Sequence, residues 1–114
     1  MSVVLAAPIV ADTALFRIDR FIVPAAALAA FSARVHRIDR MVRELPGCKR
    51  NLVLTQALEN GNVRVLTLVE WADEATLHHA KAQIQQRYAA EGFDPQAFMN
   101  ELGVEAEFGT YRNA

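Results

Sequence analysis

Asn60-Gly61-Asn62-Val63-Arg64-Val65-Leu66-Thr67-Leu68-Val69-Glu70-Trp71-Ala72-Asp73-Glu74 holds a turn, a strand and the start of a helix in direct succession. Asn60-Gly61 tolerates the positive φ that a tight hairpin requires, so the strand after it pairs antiparallel with the one before it, Cys48 to Leu58. Side chains alternate along Val63 to Trp71. Val63, Val65, Val69 and Trp71 point to one side, and Leu66 and Leu68 to the other. On the preceding strand Val53 opposes Leu52 and Leu54, so the sheet centre is apolar on both faces. Asp73 is a good N-cap for a helix that follows at once.

Working outward, Ala14 to Val23 is rich in Phe, Ile, Leu and Val with Arg17, Asp19 and Arg20 interspersed, which suits a first strand with partly polar faces. Pro24 presets φ for a first helical turn, and Leu28, Phe31, Val35, Ile38, Val42 and Leu45 follow at spacings of three and four. Leu45-Pro46-Gly47 ends that helix. The helix after Asp73 carries Leu77, Ala80, Ile84 and Tyr88 along one side. Asp94-Pro95 opens a short third helix that Gly103 stops, and Val104 to Tyr111 alternates as a fourth strand with one wet face. The order is βαββαβ with an extra short helix before the last strand. It predicts an α+β, ferredoxin-like domain on an antiparallel four-stranded sheet. Two helices with single apolar stripes cover one face of that sheet, so a second copy of the chain is the simplest cover for the other, which predicts a face-to-face homodimer.

The chain has 114 residues, 12 basic and 13 acidic, with a net charge of -1. One domain fits, over 14–114, and nothing in the charge draws it to nucleic acid or an anionic membrane. Ser2 to Ala11 form a mostly apolar stretch that no Lys or Arg precedes, too short to span a bilayer, and residues 1–13 read as an N-terminal arm or an added edge strand. The single cysteine, Cys48, makes neither an intrachain disulfide nor a structural zinc site, and a reducing cytoplasm fits that usage. Phosphate-binding glycine loops, nucleophile elbows and HExxH motifs are missing from the sequence, and no metal is expected.

Phe21-Ile22-Val23-Pro24 before the long helix, Leu45-Pro46-Gly47 after it, and Val69-Glu70-Trp71-Ala72-Asp73-Glu74 closing the third strand together resemble the antibiotic biosynthesis monooxygenase family. The resemblance runs from about Phe16 to Tyr111. It implies a dimeric α/β barrel in which each subunit holds a pocket between its sheet and its helices. It also implies one of two activities, oxygenation of phenols or quinols without flavin, haem or metal, or haem degradation. Trp71 matches the tryptophan that both active groups place in the pocket. Polyketide-oxygenating members carry an asparagine four residues before it and a tyrosine six after it, where this chain has Thr67 and Leu77. The haem-degrading type uses a first-strand asparagine, here Asp19, and a second-helix histidine, here near His79 or Lys81.

Oxygenation without a cofactor needs an electron-rich substrate, because triplet dioxygen reacts with closed-shell carbon only after a deprotonated substrate donates an electron. The protein would supply a dry cavity, a base and groups that favour the anion. Trp71 offers a flat wall and one N–H donor to such a substrate, or else serves as a core tryptophan at a strand end. His78 and His79 sit about 100° apart around their helix. With Leu77, Ile84 and Tyr88 as the stripe, His78 lies on its border and is the candidate general base, the alternative being a solvated surface histidine. Arg17 and Arg87 are candidates to offset a phenolate, or are plain surface charges. Asn51, Thr67 and Tyr88 complete the candidate substrate-binding set. Three functions follow: a cofactor-independent monooxygenase for an aromatic or quinol-like compound, a non-enzymatic module that binds a hydrophobic ligand, and a haem-degrading monooxygenase.

Overall fold

The computed structural model describes residues 12–114. The expected arm at residues 1–13 therefore lies, but for its last two residues, outside the described residues. Along the chain come β1 (Leu15–Val23), a 3-10 turn (Ala25–Ala27), α1 (Leu28–Arg43), β2 (Cys48–Ala57), β3 (Val63–Trp71), α2 (Glu74–Glu91), α3 (Pro95–Leu102) and β4 (Glu105–Tyr111). The sheet is antiparallel throughout, in the order β2-β3-β1-β4. This is the ferredoxin-like α+β arrangement, with α3 as its additional helix.

Local chemistry sets the ends of these elements. Asn60 adopts the left-handed conformation at φ 64° between β2 and β3, as the Asn-Gly pair allows. Pro24 is extended and has no capping side chain, so the first turn after β1 tightens to 3-10, with Ala27 N donating to Pro24 O at 2.9 Å before α1 proper begins. Asp73 accepts from Thr76 N at 2.8 Å while Thr76 Oγ1 accepts from Asp73 N at 3.3 Å, a reciprocal capping box on α2. Asp94 caps α3, with Pro95 in the first helical position.

Two motifs far apart in sequence meet at one junction. Gly47, at φ 86°, turns the chain from α1 into β2, and its carbonyl accepts from Ala72 N at 2.8 Å. A Cβ there would lie 2.4 Å from Thr76 Cβ, so only glycine fits against the cap of α2. The turn after α1 and the strand-to-helix step after Trp71 thus hold each other in place.

Odd-numbered residues of β1 and β3 face the helices. One buried cluster, with Phe21, Val23, Phe31, Val35, Val65 and Met99 at its centre, lies under α1 and α3. A second, of Val42, Trp71 and Ala80, lies at the other end of the sheet under α1 and α2. The opposite face carries Ile18 and Ile22 from β1, Leu66 and Leu68 from β3, and Leu52 and Leu54 from β2. Leu52 pairs with Leu68 and Leu54 with Leu66. None of these six belongs to either buried cluster, and Leu54 is 50% exposed. The sheet is apolar on both sides, and this chain's helices cover one.

Candidate functional site

Between the two buried clusters the sheet and the helices border a half-open cavity of about 680 Å³. Its floor is the helix-facing row of the central strands: Arg17, Asp19 and Phe21 from β1, Thr67, Val69 and Trp71 from β3, with Phe108 at the β4 edge. In the register Asp19 is flanked by Thr67 and Phe108, and Arg17 by Val69 and Thr110. α1 and α2 form the walls, and Phe93 and Phe98 close the end next to α3. These aromatic rings form a chain of contacts. Phe21 and Phe31 have centroids 5.0 Å apart, Phe93 and Phe98 5.4 Å, and Tyr88 meets Phe93 edge-on at 5.1 Å. Each such pair adds about 0.5–1.5 kcal/mol beyond the area it buries, so the wall is stiff and suited to a flat apolar guest.

Polar groups are few here, and most are already engaged. Arg17 Nε donates to Asp19 Oδ1 at 2.7 Å, and the Arg17 guanidinium lies 5.3 Å from the Phe108 ring centroid. Burial pushes the Asp19 carboxyl above its ordinary value, and Arg17 only partly opposes this. Burial likewise pushes the Tyr88 phenol up, against the pull of Arg34 and with the charges of Asp19 and Glu91 adding to the rise. Arg34 lies flat on Phe93 at 3.8 Å and 3.5 Å from Glu91. Asp39 accepts from Asn51 Nδ2 at 2.6 Å and pairs through its other oxygen with Arg43 at 3.0 Å.

Of the residues singled out from sequence, Trp71, Arg17, Thr67 and Tyr88 line the cavity together. Trp71 is 2% exposed and is at once a wall and part of a buried cluster. Asn51 stands behind the wall, positioning Asp39. Arg87 faces a separate shallow groove beside Met41 and Leu45, and pairs with Glu91 at 3.4 Å. His78 is not a lining residue. Its side chain is 70% exposed and sits 3.8 Å from Glu74. Its angle around α2 matches that of Gln85, which does line the cavity. His78 lies at the edge of the stripe of Leu77, Ala80, Lys81 and Ile84 that lines the cavity, and its side chain turns to solvent beside Glu74.

The sequence reading missed Asp19, Arg34, Lys81 and Gln85 as candidates, and all four line the cavity. For Asp19 a signal was present. Arg17, Asp19, Phe21 and Val23 alternate onto one face, and opposite charges two residues apart on a core-bound face mark a buried pair. Among the described residues no group of three His, Cys, Asp or Glu side chains is arranged to hold a metal ion. No described helix is long and apolar enough to cross a membrane.

No family model and no curated protein match the chain. Solved structures do. SnoaB from Streptomyces nogalater, described as a cofactor-independent oxygenase, is similar at 23% identity over 90% of this chain and 94% of its own, with a TM-score of 0.65. A Deinococcus radiodurans protein, provisionally described as an antibiotic biosynthesis monooxygenase, is similar at 16% identity over 88% and 92%, with a TM-score of 0.62. A dimeric ferredoxin-like protein from an uncultured marine organism is similar at 9% identity over 89% and 95%, with a TM-score of 0.67. At these identities the likeness establishes the fold, and at that level the resemblance seen in the sequence holds.

Proposed function

We propose that the chain is a small cofactor-independent monooxygenase acting on an aromatic or quinol-like compound, and that it works as a homodimer. The observation that carries this reading is the pocket: a half-open, mainly apolar space of about 680 Å³, rich in aromatic rings, with a carboxylate–guanidinium pair on its floor. Such a site holds a flat guest against apolar walls and sets a carboxylate beside a cation on its floor, an arrangement suited to generating a phenolate and handing its electron to dioxygen. In the reaction a phenol and dioxygen give a quinone and water. The ring carbon para to the hydroxyl gains oxygen, and its hydrogen and the hydroxyl hydrogen leave in the water. The description of SnoaB as a cofactor-independent oxygenase supports the same chemistry. The uncovered Leu and Ile face of the sheet and the dimeric state of the marine neighbour support the homodimer.

The test is oxygen consumption by purified, metal-free protein with a panel of phenols and hydroquinones. Uptake above the uncatalysed rate, with quinone as product, is expected. Its absence across the panel overturns the reading for those substrates. One observation favours a second reading, a non-enzymatic module that binds a hydrophobic ligand. Leu77 and Thr67, which stand where a tyrosine and an asparagine are expected in polyketide-oxygenating proteins, both line the cavity. A metabolite recovered from the protein and returned unchanged after incubation in air would favour that module. Haem degradation is less well supported, since among the described residues no histidine lines the cavity to bind iron.

A further inference from the structure

The geometry points to Asp19 as the group that takes the phenolic proton, with Arg17 holding the charge in place as the proton moves. This rests on the oxygenase reading and names the base of its site. The argument is one of elimination among groups that face the same space. α1 contributes Arg34 and Asp39, α2 contributes Lys81 and Tyr88, and the turn before α3 contributes Asp94, while β3 and β4 flank Asp19 with the uncharged Thr67 and Phe108. Both Asp39 oxygens are occupied, by Asn51 and by Arg43. Asp94 is exposed at the pocket rim, and its Oδ1 is committed to two backbone N–H groups at the start of α3, whereas Asp19 is half-buried on the floor. Lys81 is a donor, and Tyr88 holds its proton more tightly than usual. Asp19 is bound through one oxygen, by Arg17 Nε, and its other oxygen keeps free acceptor capacity. Thr67 and Phe108 flank it on the neighbouring strands, so this carboxylate stands mid-floor, where a phenol laid against the sheet can present its hydroxyl.

The step is an exchange of charge across a fixed cation. The substrate O–H bond breaks, its proton forms an O–H bond to the Asp19 carboxylate, and the electron pair stays on the phenolate oxygen. Arg17 faces one negative charge before and one after, so no net charge is created in the low-dielectric site. That lowers the barrier relative to a neutral base, which would leave two new charges behind. Burial of Asp19 acts in the same direction, since a carboxylate that binds its proton more tightly is the stronger base.

Two measurements test this, and they fail independently of the oxygenase reading. In oxygen uptake, Asp19→Asn is expected to lower kcat by about a hundredfold or more while KM changes little. The acid limb of the wild-type pH profile, in which kcat/KM rises as Asp19 loses its proton, should disappear. A variant that keeps the rate and the limb overturns the proposal. The second measurement needs no turnover and uses para-nitrophenol as the probe. At a pH below its own pKa, the wild-type protein should bind it with the absorbance of the phenolate and with no net release of protons, as shown by calorimetry in buffers of different ionisation enthalpy. Asp19→Asn should release one proton per phenolate formed. Equal release by both proteins, a neutral bound phenol, or no binding by the wild type each overturns the assignment. If the variant does not fold, carbon NMR of aspartate-labelled wild-type protein decides, since the Asp19 carboxyl must gain a proton when the phenol binds. A wild-type protein inert toward oxygen but positive in the para-nitrophenol experiment would sink the oxygenase reading alone.

Discussion

Arg17 and Asp19 stand on the face of β1 that also carries Phe21 and Val23, so the strand places an ion pair where its neighbours place core. This placement has a cost that can be measured. The Asp19 carboxyl keeps its proton to higher pH when folded than in the unfolded chain, because burial outweighs the attraction of Arg17. Between the ordinary carboxylate value and this raised one, the native state binds more protons than the unfolded state. Stability therefore falls as the pH rises through that interval and stays lower above it. Asp19→Asn removes the ionisation, and the variant is expected to melt above the wild type at neutral pH. The difference should close as the pH falls into the ordinary carboxylate range, in thermal melts followed by circular dichroism. A gain in stability paired with a loss of turnover is the pattern of a strained functional group. Trp71 from the family resemblance, Tyr88 from helical spacing and Thr67 and Arg17 from the strands were candidates in the sequence, and the structure lines one cavity with all four. Asp19 was passed over although its alternation with Arg17, Phe21 and Val23 placed it on the core-bound face. The sequence reading fell short too at His78, a residue at the border of the stripe, whose side chain turns out to solvent beside Glu74.

Elements were legible wherever a local rule fixed them. The N-cap at Asp73, the Asp94-Pro95 start of α3 and the Asn60-Gly61 turn are each decided within a few residues. The 3-10 turn after Pro24 was not, because an uncapped Pro-Ala-Ala-Ala stretch suits either helix type and the backbone settles the choice. Nor was the junction of Gly47 with α2 legible, since it joins residues from two separate connections. That junction predicts a large effect from a small change. Gly47→Ala forces a side chain into left-handed backbone and against Thr76 Cβ, and is expected to cost roughly 2–4 kcal/mol in urea unfolding, with the slope against denaturant unchanged. Trp71 ends the strand that this junction anchors, so the same variant should also loosen the cavity, read as faster quenching of tryptophan fluorescence by acrylamide. The cap behaves differently with pH. Hydrogen bonds from Thr76, first its backbone N–H and then its side chain, hold the Asp73 carboxyl below its usual value. This stabilisation is complete above the ordinary carboxylate range and is lost as the pH falls through the depressed value. Asp73→Ala should therefore lower the melting temperature at neutral pH and differ less from the wild type in strong acid.

At the scale of the whole molecule one fact organises the rest: a four-stranded sheet with apolar centres on both faces, and helices on one. The alternation of Val63 to Trp71 already contained it, since Leu66 and Leu68 have no reason to be leucine if they face water. The proposed dimer puts this face against its copy, with the cavity on the other side of the sheet. Interface and site can then be separated by mutation. Leu54, half exposed and paired with Leu66, is the position to use. Leu54→Arg adds a charge that the isolated chain can extend into solvent, at little cost to its own fold. In the dimer that charge would be buried without a partner, at roughly 3–5 kcal/mol per copy, enough to weaken association by a hundredfold or more. Sedimentation equilibrium should show wild-type protein at twice the chain mass and Leu54→Arg at the chain mass over the same micromolar range. Leu54→Met, which keeps the surface apolar, should stay paired. Because Leu54 and the floor residues Arg17, Asp19 and Trp71 lie on opposite sides of the sheet, the single-chain variant should still bind para-nitrophenol with affinity within a few fold of the wild type. Loss of binding together with the dimer would mean that the partner shapes the cavity through the sheet. A wild-type protein that sediments as one chain would leave the Leu and Ile face bare to water, and the proposed assembly would be wrong.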